Sequence, residues 1–430
     1  MNPEFRRQLW LQFSATRLAL LPLLLAASFC AVYLTVPTPP ALPLASVGAA
    51  LFGLLVLGMG TLAAGSSVMD EITDHTWDQQ RMSAMQPWAM TWGKLAGATA
   101  YGWYGGALCL LVAVPSALVL ESSAFVLKVT VTAVLTGVFL QALLVAVNLQ
   151  LLKTGSRVSR RGGAWVLLLV LLWGGAIAMA TLRGERITWW GQFMDRLDLA
   201  LASVVLFALC ALVAAWRSMA EVLAVRQLPW GWPALALAAT VYLTGFARSH
   251  AMSVLGVVGL SICAVLTYMA LLTEPQQRPL WQRVVNRART GQWRAVLLQL
   301  PRWPTTLLLA LPFAVLTTLA LDPFAAVPWT LADALLLQPL AVVLLLARDC
   351  ALALYFSFAP KGRRPLMAFA VLMFVLYGLL PWLLRATDSQ WLPGLALPVL
   401  AGGGLSLVFA TVHLGLALGL LRQRWLATGP

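Results

Sequence analysis

The chain has 430 residues, 61% hydrophobic and only 10% charged, where a soluble domain carries about 25% charged residues. With a mean hydropathy of +0.84, this composition excludes a soluble globular domain and fits a polytopic membrane protein. The net charge of +14 would suit nucleic acid, but the positive charge is distributed between apolar runs in the manner of membrane orientation and contact with anionic lipid heads, so no nucleic-acid partner is expected.

Near the start lies "FRRQLWLQFSATR" (5–17), and residues 1–17 read as an amphipathic interface helix. The apolar run 18–36 is longer than the roughly 7–15 residues of a signal peptide. Phe29 also precedes Cys30 where a lipoprotein site needs a small residue, so the run reads as a retained first span. Further runs able to cross about 30 Å of hydrocarbon lie at 42–68, 95–120, 125–152, 164–182, 199–216, 232–247, 251–272, 304–320, 331–347, 366–384 and 394–421.

The expectation is an all-α polytopic membrane protein of about twelve spans in two six-helix halves, 18–216 and 232–421, with a cytosolic linker at 217–231 and a cytosolic tail at 422–430. With the N-terminus inside, 23 of the 29 Lys and Arg fall in cytosolic segments, leaving Lys128, Arg183, Arg186, Arg196, Arg248 and Arg385 outside. The inverse topology would put most of the positive charge outside, so both termini are expected in the cytosol. The five cysteines lie in or beside apolar runs without paired spacing and read as core residues.

One polar stretch stands apart, "MDEITDHTWDQQRMSAMQPWAMTWGK" (69–94). As one continuous helix it would place Glu71, Asp74 and Asp78 on a single exposed acidic face, with Asp70 beside them. Trp77, Arg81, Met85 and Trp88 would form a second stripe. Pro87 ends or bends this helix, and a new one runs through Lys94 into the third span. Met82, Met85 and the tryptophans suit adaptable contacts, and the acidic rim selects a basic partner. The plainer alternative is a solvated loop with Trp anchors at the membrane surface.

The stretch resembles the loop after the second span in permeases of type-2 ABC transporters. There an acidic residue, a Gly/Ser-Thr pair and a "leu-x-x-ser-pro" run lead to Gly-Lys at the head of the third span. Glu71, His75-Thr76, "RMSAMQPW" and Gly93-Lys94 follow in that order here, and 5–17 resembles the interface helix of the same family. The resemblance implies an exporter permease of the bacterial cytoplasmic (inner) membrane. Its coupling helix would be Asp70, Glu71, Asp74, Trp77, Asp78, Arg81, Met82, Met85 and Trp88, docked on a separate cytosolic ATPase. No cofactor would be bound directly, and ATP would act through that ATPase. A second permease chain could complete the path.

The chain departs from the family in its twelve expected spans and in its second loop, 273–303, which is basic. Trp281, Val284, Val285 and Ala288 share one face there, with Arg283, Arg287 and Arg289 elsewhere, as in a helix lying on anionic lipid. "RAVLLQLPRW" in that loop echoes "RMSAMQPW", leaving an internal duplication open. No phosphate-binding loop occurs, so the chain is expected to be no enzyme in its own right. Lys128, Asp333 and Arg348 read as span-end residues, leaving the spans almost free of charge. Gly93/Gly97, Gly102/Gly106 and Gly415/Gly419 read as helix-packing pairs. Two alternatives stand: a twelve-span secondary carrier, which would need ionisable residues within the membrane, and a membrane enzyme acting on a lipid-linked substrate through Glu185, Asp195 or Asp198.

Overall fold

The computed structural model describes residues 2–36, 40–74, 76–83, 85–153, 186–247, 252–320, 338–359, 365–387 and 392–427. Among them the chain is helical apart from one hairpin, Ile187–Trp189 with Gln192–Met194. Among the described residues ten helices are long and apolar enough to cross a membrane: Ala15–Thr35, Ala41–Thr73, Ala100–Leu118, Ser123–Leu152, Arg196–Val222, Met252–Thr273, Trp303–Ala320, Pro339–Ser357, Pro365–Arg385 and Gly403–Ala427. This is an all-α polytopic membrane protein. Helices dominate because a spanning segment must satisfy every backbone N–H and C=O internally.

The apolar runs match these helices with four exceptions, one being the run at 394–421, whose helix starts only at Gly403. The run at 232–247 forms a shorter helix, Gly231–Thr244. The run at 164–182 lies outside the described residues. The run expected at 331–347 is displaced: its helix is Pro339–Ser357, so "RDCALALYFS" continues a span instead of opening a loop.

The residues group into two compact units, 1–187 with 193–227, and 188–192 with 228–430. In the first unit the helix Ala41–Thr73 has 33 residues, about 50 Å at 1.5 Å per residue. That exceeds the roughly 30 Å of a hydrocarbon layer, so its polar C-terminal turns extend beyond. A π-helical segment, Gly53–Gly60, interrupts it. The glycines there and on Ala100–Leu118 allow close approach: a Cβ on Gly102 would lie 2.8 Å from the Leu55 carbonyl oxygen, and one on Gly106 2.4 Å from Val56 Cγ2. Gln141 Nε2 donates to the Val56 carbonyl at 3.2 Å, and the Trp103 indole donates to Gln141 Oε1 at 3.0 Å. The Gln141 amide thus bonds a backbone carbonyl inside the π-helical segment, and the Trp103 indole fixes its orientation.

In the second unit Met252–Thr273 packs on Trp303–Ala320. A Cβ on Gly259 would sit 2.4 Å from Phe313 Cδ1, and the Thr267 and Thr306 hydroxyls meet at 2.8 Å. Small residues and interhelical hydroxyl bonds are the usual adhesive where apolar burial gives no driving force. Gly415 and Gly419, expected to pack, face open space within this unit, with nothing within 4 Å of an added Cβ. Their spacing alone carried that expectation, and spacing does not supply a partner.

Candidate functional site

The polar stretch 70–94 is three elements, not one helix. The long second span runs to Thr73, with Asp74 capping it through its N–H to the Asp70 carbonyl at 2.8 Å. Thr76 then closes the turn, its N–H reaching the Glu71 carbonyl at 2.9 Å. A single turn, Trp77–Arg81, follows. The next helix, Pro87–Ala98, starts with Pro87 in its first turn, where the missing N–H costs nothing. Glu71, Asp74 and Asp78 therefore share no face, because the helical register is lost between Thr73 and Trp77. His75 lies outside the described residues.

The break divides the candidate residues. Asp74, Asp78, Arg81, Met82 and Trp88 are exposed, Asp70 and Met85 half-buried, and Glu71 and Trp77 buried. Trp77 packs with Val68, Met90, Leu149 and Met219, and Met85 lies against the same core. The surface stripe of Trp77, Arg81, Met85 and Trp88 is thus absent. Arg81 approaches Asp78 at 3.9 Å, both of them exposed, a pair worth little in solvent.

Glu71 points inward to a buried charge cluster. The N-terminal helix Pro3–Gln12 is started by Asn2, whose side chain accepts from the Glu4 N–H at 3.0 Å. It lies along Pro87–Ala98 at Gly93 and Gly97. Cβ atoms on those glycines would lie 2.7 Å from Glu4 Cβ and 2.5 Å from Gln8 Cβ, so only glycine permits this approach. The crossing brings Glu4, Arg7 and Gln8 to Lys94 and Glu71. Lys94 Nζ donates to Glu4 Oε1 at 3.2 Å, to Gln80 Oε1 at 2.9 Å and to Glu71 Oε2. These three bonds use the whole donor capacity of the ammonium, whose side chain is 0% exposed. Arg7 bonds Glu4 through Nε at 3.1 Å and Nη2 at 2.9 Å, and also bonds Glu71 Oε1.

Two acids and two bases make the cluster neutral overall, with Glu4, Glu71 and Lys94 buried and Arg7, 40% exposed, closing it at the surface. Burial by itself would raise the Glu4 carboxyl; the Arg7 hydrogen bond, the Lys94 charge and the Gln8 hydrogen bond outweigh it and hold the group below its ordinary 4.5. Burial likewise opposes charge on Arg7, and its bonds to Glu4 and Glu71 prevail, raising it above its ordinary value.

In the second unit the loop between Met252–Thr273 and Trp303–Ala320 carries an amphipathic helix, Arg278–Arg289, as expected. Val284 is buried and Trp281 lies 5.5 Å from Trp303, while Arg283 and Arg289 are exposed. Glu274 closes the base of this loop, meeting Arg302 at 3.2 Å and accepting its backbone N–H at 2.9 Å. The loop thus has an acid at its entrance despite its basic surface.

A second polar cluster was not foreseen. Arg348, expected at a span end, lies near the midpoint of Pro339–Ser357 at 2% exposure, beside Asp349 at 0%. Arg348 Nε donates to Asp349 Oδ1 at 2.8 Å. The Tyr268 and Tyr377 hydroxyls donate to Asp349 Oδ2 at 2.5 Å and 2.6 Å. Arg348 Nη1 reaches His413 Nδ1 at 3.1 Å, and Nη2 lies 2.7 Å from Asp349 Oδ1 without making a hydrogen bond. Tyr377 comes from a π-helical turn, Val375–Leu379, a feature frequent at functional sites. The only sequence signal was the apolar "ALALYF" after Arg348–Asp349, which lets the span continue past them.

Of the acids named for a membrane enzyme, Asp195 approaches Arg186 at 3.7 Å and Asp198 pairs with Lys128. Glu185 and Asp333 lie outside the described residues. The two aspartates are thus engaged with separate bases and form no joint acid–base arrangement. No protein-family model, curated protein or solved structure matches this chain.

Proposed function

We propose that the chain is the permease subunit of a type-2 ABC exporter in the bacterial cytoplasmic membrane, both termini cytosolic, driven by a separate ATPase that docks on 70–94. One observation carries this reading. Glu71 and Gly93-Lys94, three of the residues on which the family resemblance rests, converge with the N-terminal helix in one buried cluster. A loop braced in this way would transmit a push from the ATPase to the spans on either side of it, where an unbraced loop would absorb it. The exposed Asp74, Asp78, Arg81, Met82 and Trp88 would touch the ATPase, with Asp70 and Met85 at the edge. Glu71 and Trp77 would hold the loop in shape beneath them.

The test is co-purification of the tagged protein from its native membrane, with Glu71 left intact. Wild type should bring down an ATPase subunit. Asp74→Arg/Asp78→Arg/Met82→Glu should lose it while unfolding at the same temperature. Absence of any ATPase from the wild type would remove the reading.

A second reading, a twelve-span secondary carrier, is favoured by the Arg348–Asp349 cluster, since ionisable residues within spans commonly mark ion or proton paths. Uptake or release by proteoliposomes under a pH gradient, with no ATPase present, would select it.

A further inference from the structure

His413 is the half-buried member of the Arg348 cluster, near the midpoint of Gly403–Ala427. Its two ring nitrogens have partners that fix its state. Arg348 Nη1, 3.1 Å from Nδ1, can only donate, and the Leu395 carbonyl, 2.9 Å from Nε2, can only accept. Nδ1 must therefore be bare and Nε2 protonated, so the ring is neutral.

The Leu395 partner belongs to an unusual segment. Residues 392–402 form a short helix, Leu392–Ala396, and a 3-10 turn, Pro398–Leu400, with residues 393, 394 and 396–402 all buried. The segment folds tightly on itself: a Cβ on Gly394 would lie 2.4 Å from Ala401 Cβ. It ends in two left-handed glycines, Gly402 at φ 72° and Gly403 at φ 49°. Irregular backbone in a membrane protein needs such cover. Leu397, Val399 and Leu400 pack against Ala341 and Leu345 of Pro339–Ser357.

We infer that His413 is a proton-accepting site, and that a proton on Nδ1 unlatches 392–402 from the Arg348 helix. The proton occupies the lone pair that Arg348 uses. Two cationic donors then face each other at 3.1 Å, and that contact opens. The Nε2–H bond to Leu395 survives, so the ring and the segment move together, away from the Arg348 helix. The ionisable groups facing His413 are Arg348 and Asp349, with Cys350 and Tyr355 further along the same helix. Tyr268 and Tyr377 lie behind Asp349 on their own helices. Residues 392–402 contribute no ionisable side chain. Asp349 remains held by the Arg348 Nε bond and both tyrosines, so the cluster keeps its ion pair when the latch opens. The inference uses the cluster that favours the carrier reading but requires neither the permease nor the carrier reading to hold.

The test uses the full chain in lipid nanodiscs. His75→Gln/His250→Gln leaves His413 as the sole histidine, and its ¹⁵N spectrum should show the neutral Nε2–H form at pH 8 and imidazolium at pH 5. Over the same range, hydrogen-exchange protection of 392–402 in the wild type should fall by about tenfold or more. His413→Gln, whose amide can accept from Arg348 and donate to Leu395 but takes up no proton, should change by less than about twofold. A ring that stays neutral at pH 5, an Nδ1–H form at pH 8, or an equal loss of protection in His413→Gln would each overturn the inference. The spectrum decides this even if the glutamine variant fails to fold.

Discussion

The loops 70–94 and 274–302 sit in different units, yet each is closed at its base by an acid where the chain leaves one span and a base where it enters the next. Glu71 and Lys94 meet with side chains 7% and 0% exposed, whereas Glu274 and Arg302 meet at 17% and 19%. The difference comes from the N-terminal helix, which covers the first closure and adds Glu4 and Arg7 to it. The second loop is held instead by Arg278, which donates to the Trp425 carbonyl at 3.0 Å and lies 5.8 Å from that indole. The exposed surfaces also have opposite sign, with Asp74 and Asp78 on one and Arg283 and Arg289 on the other. One closing device can therefore present two surfaces of opposite charge.

The largest expected effect separates the closures by depth. Lys94→Met leaves Glu4 and Glu71 buried with one base, and should cost about 3–5 kcal/mol in thermal unfolding. Lys94→Met/Glu71→Gln should recover part of that loss. Arg302→Met should cost less, about 1.5–3 kcal/mol, because Glu274 can reach water. Equal losses for the two single variants would break the distinction between a covered and an open closure.

The helix crossing that covers the first closure can be tested directly. Gly97→Ala puts a methyl group against Gln8 and should cost about 1–3 kcal/mol. Gly415→Ala, with open space around it, should stay within about 0.5 kcal/mol. Similar effects at both would mean that the N-terminal helix does not seat on Gly93 and Gly97.

The smallest effect is on pH. Because the folded Glu4 pKa lies below 4.5, its contribution is complete above that pH and is lost as pH falls through the depressed value. Proteolysis near Pro3–Gln12 should therefore accelerate only in acid below pH 4.5, and Glu4→Gln should flatten that dependence. Acceleration already at pH 6 would point to a different group.

Class, most spans and the helix that begins at Pro87 were legible in the sequence. Hydropathy, helix-start residues and proline act over a few neighbouring positions. The polar candidates were legible as residue types but not in their roles. Glu71 and Asp74 are both acidic, and only the approach of the N-terminal helix makes one a buried brace while leaving the other exposed. The span carrying Arg348 was misplaced for a related reason: an apolar run ends at its first charge unless a counter-charge is known to be there. Asp349 beside it, with two tyrosines from other helices, lets that span continue to Ser357. The contacts of Arg7 with Glu71 and of Lys94 with Glu4 cross separations of 64 and 90 residues. Only the tertiary structure decides which charges are buried, because each can be buried only where the fold supplies its counter-charge.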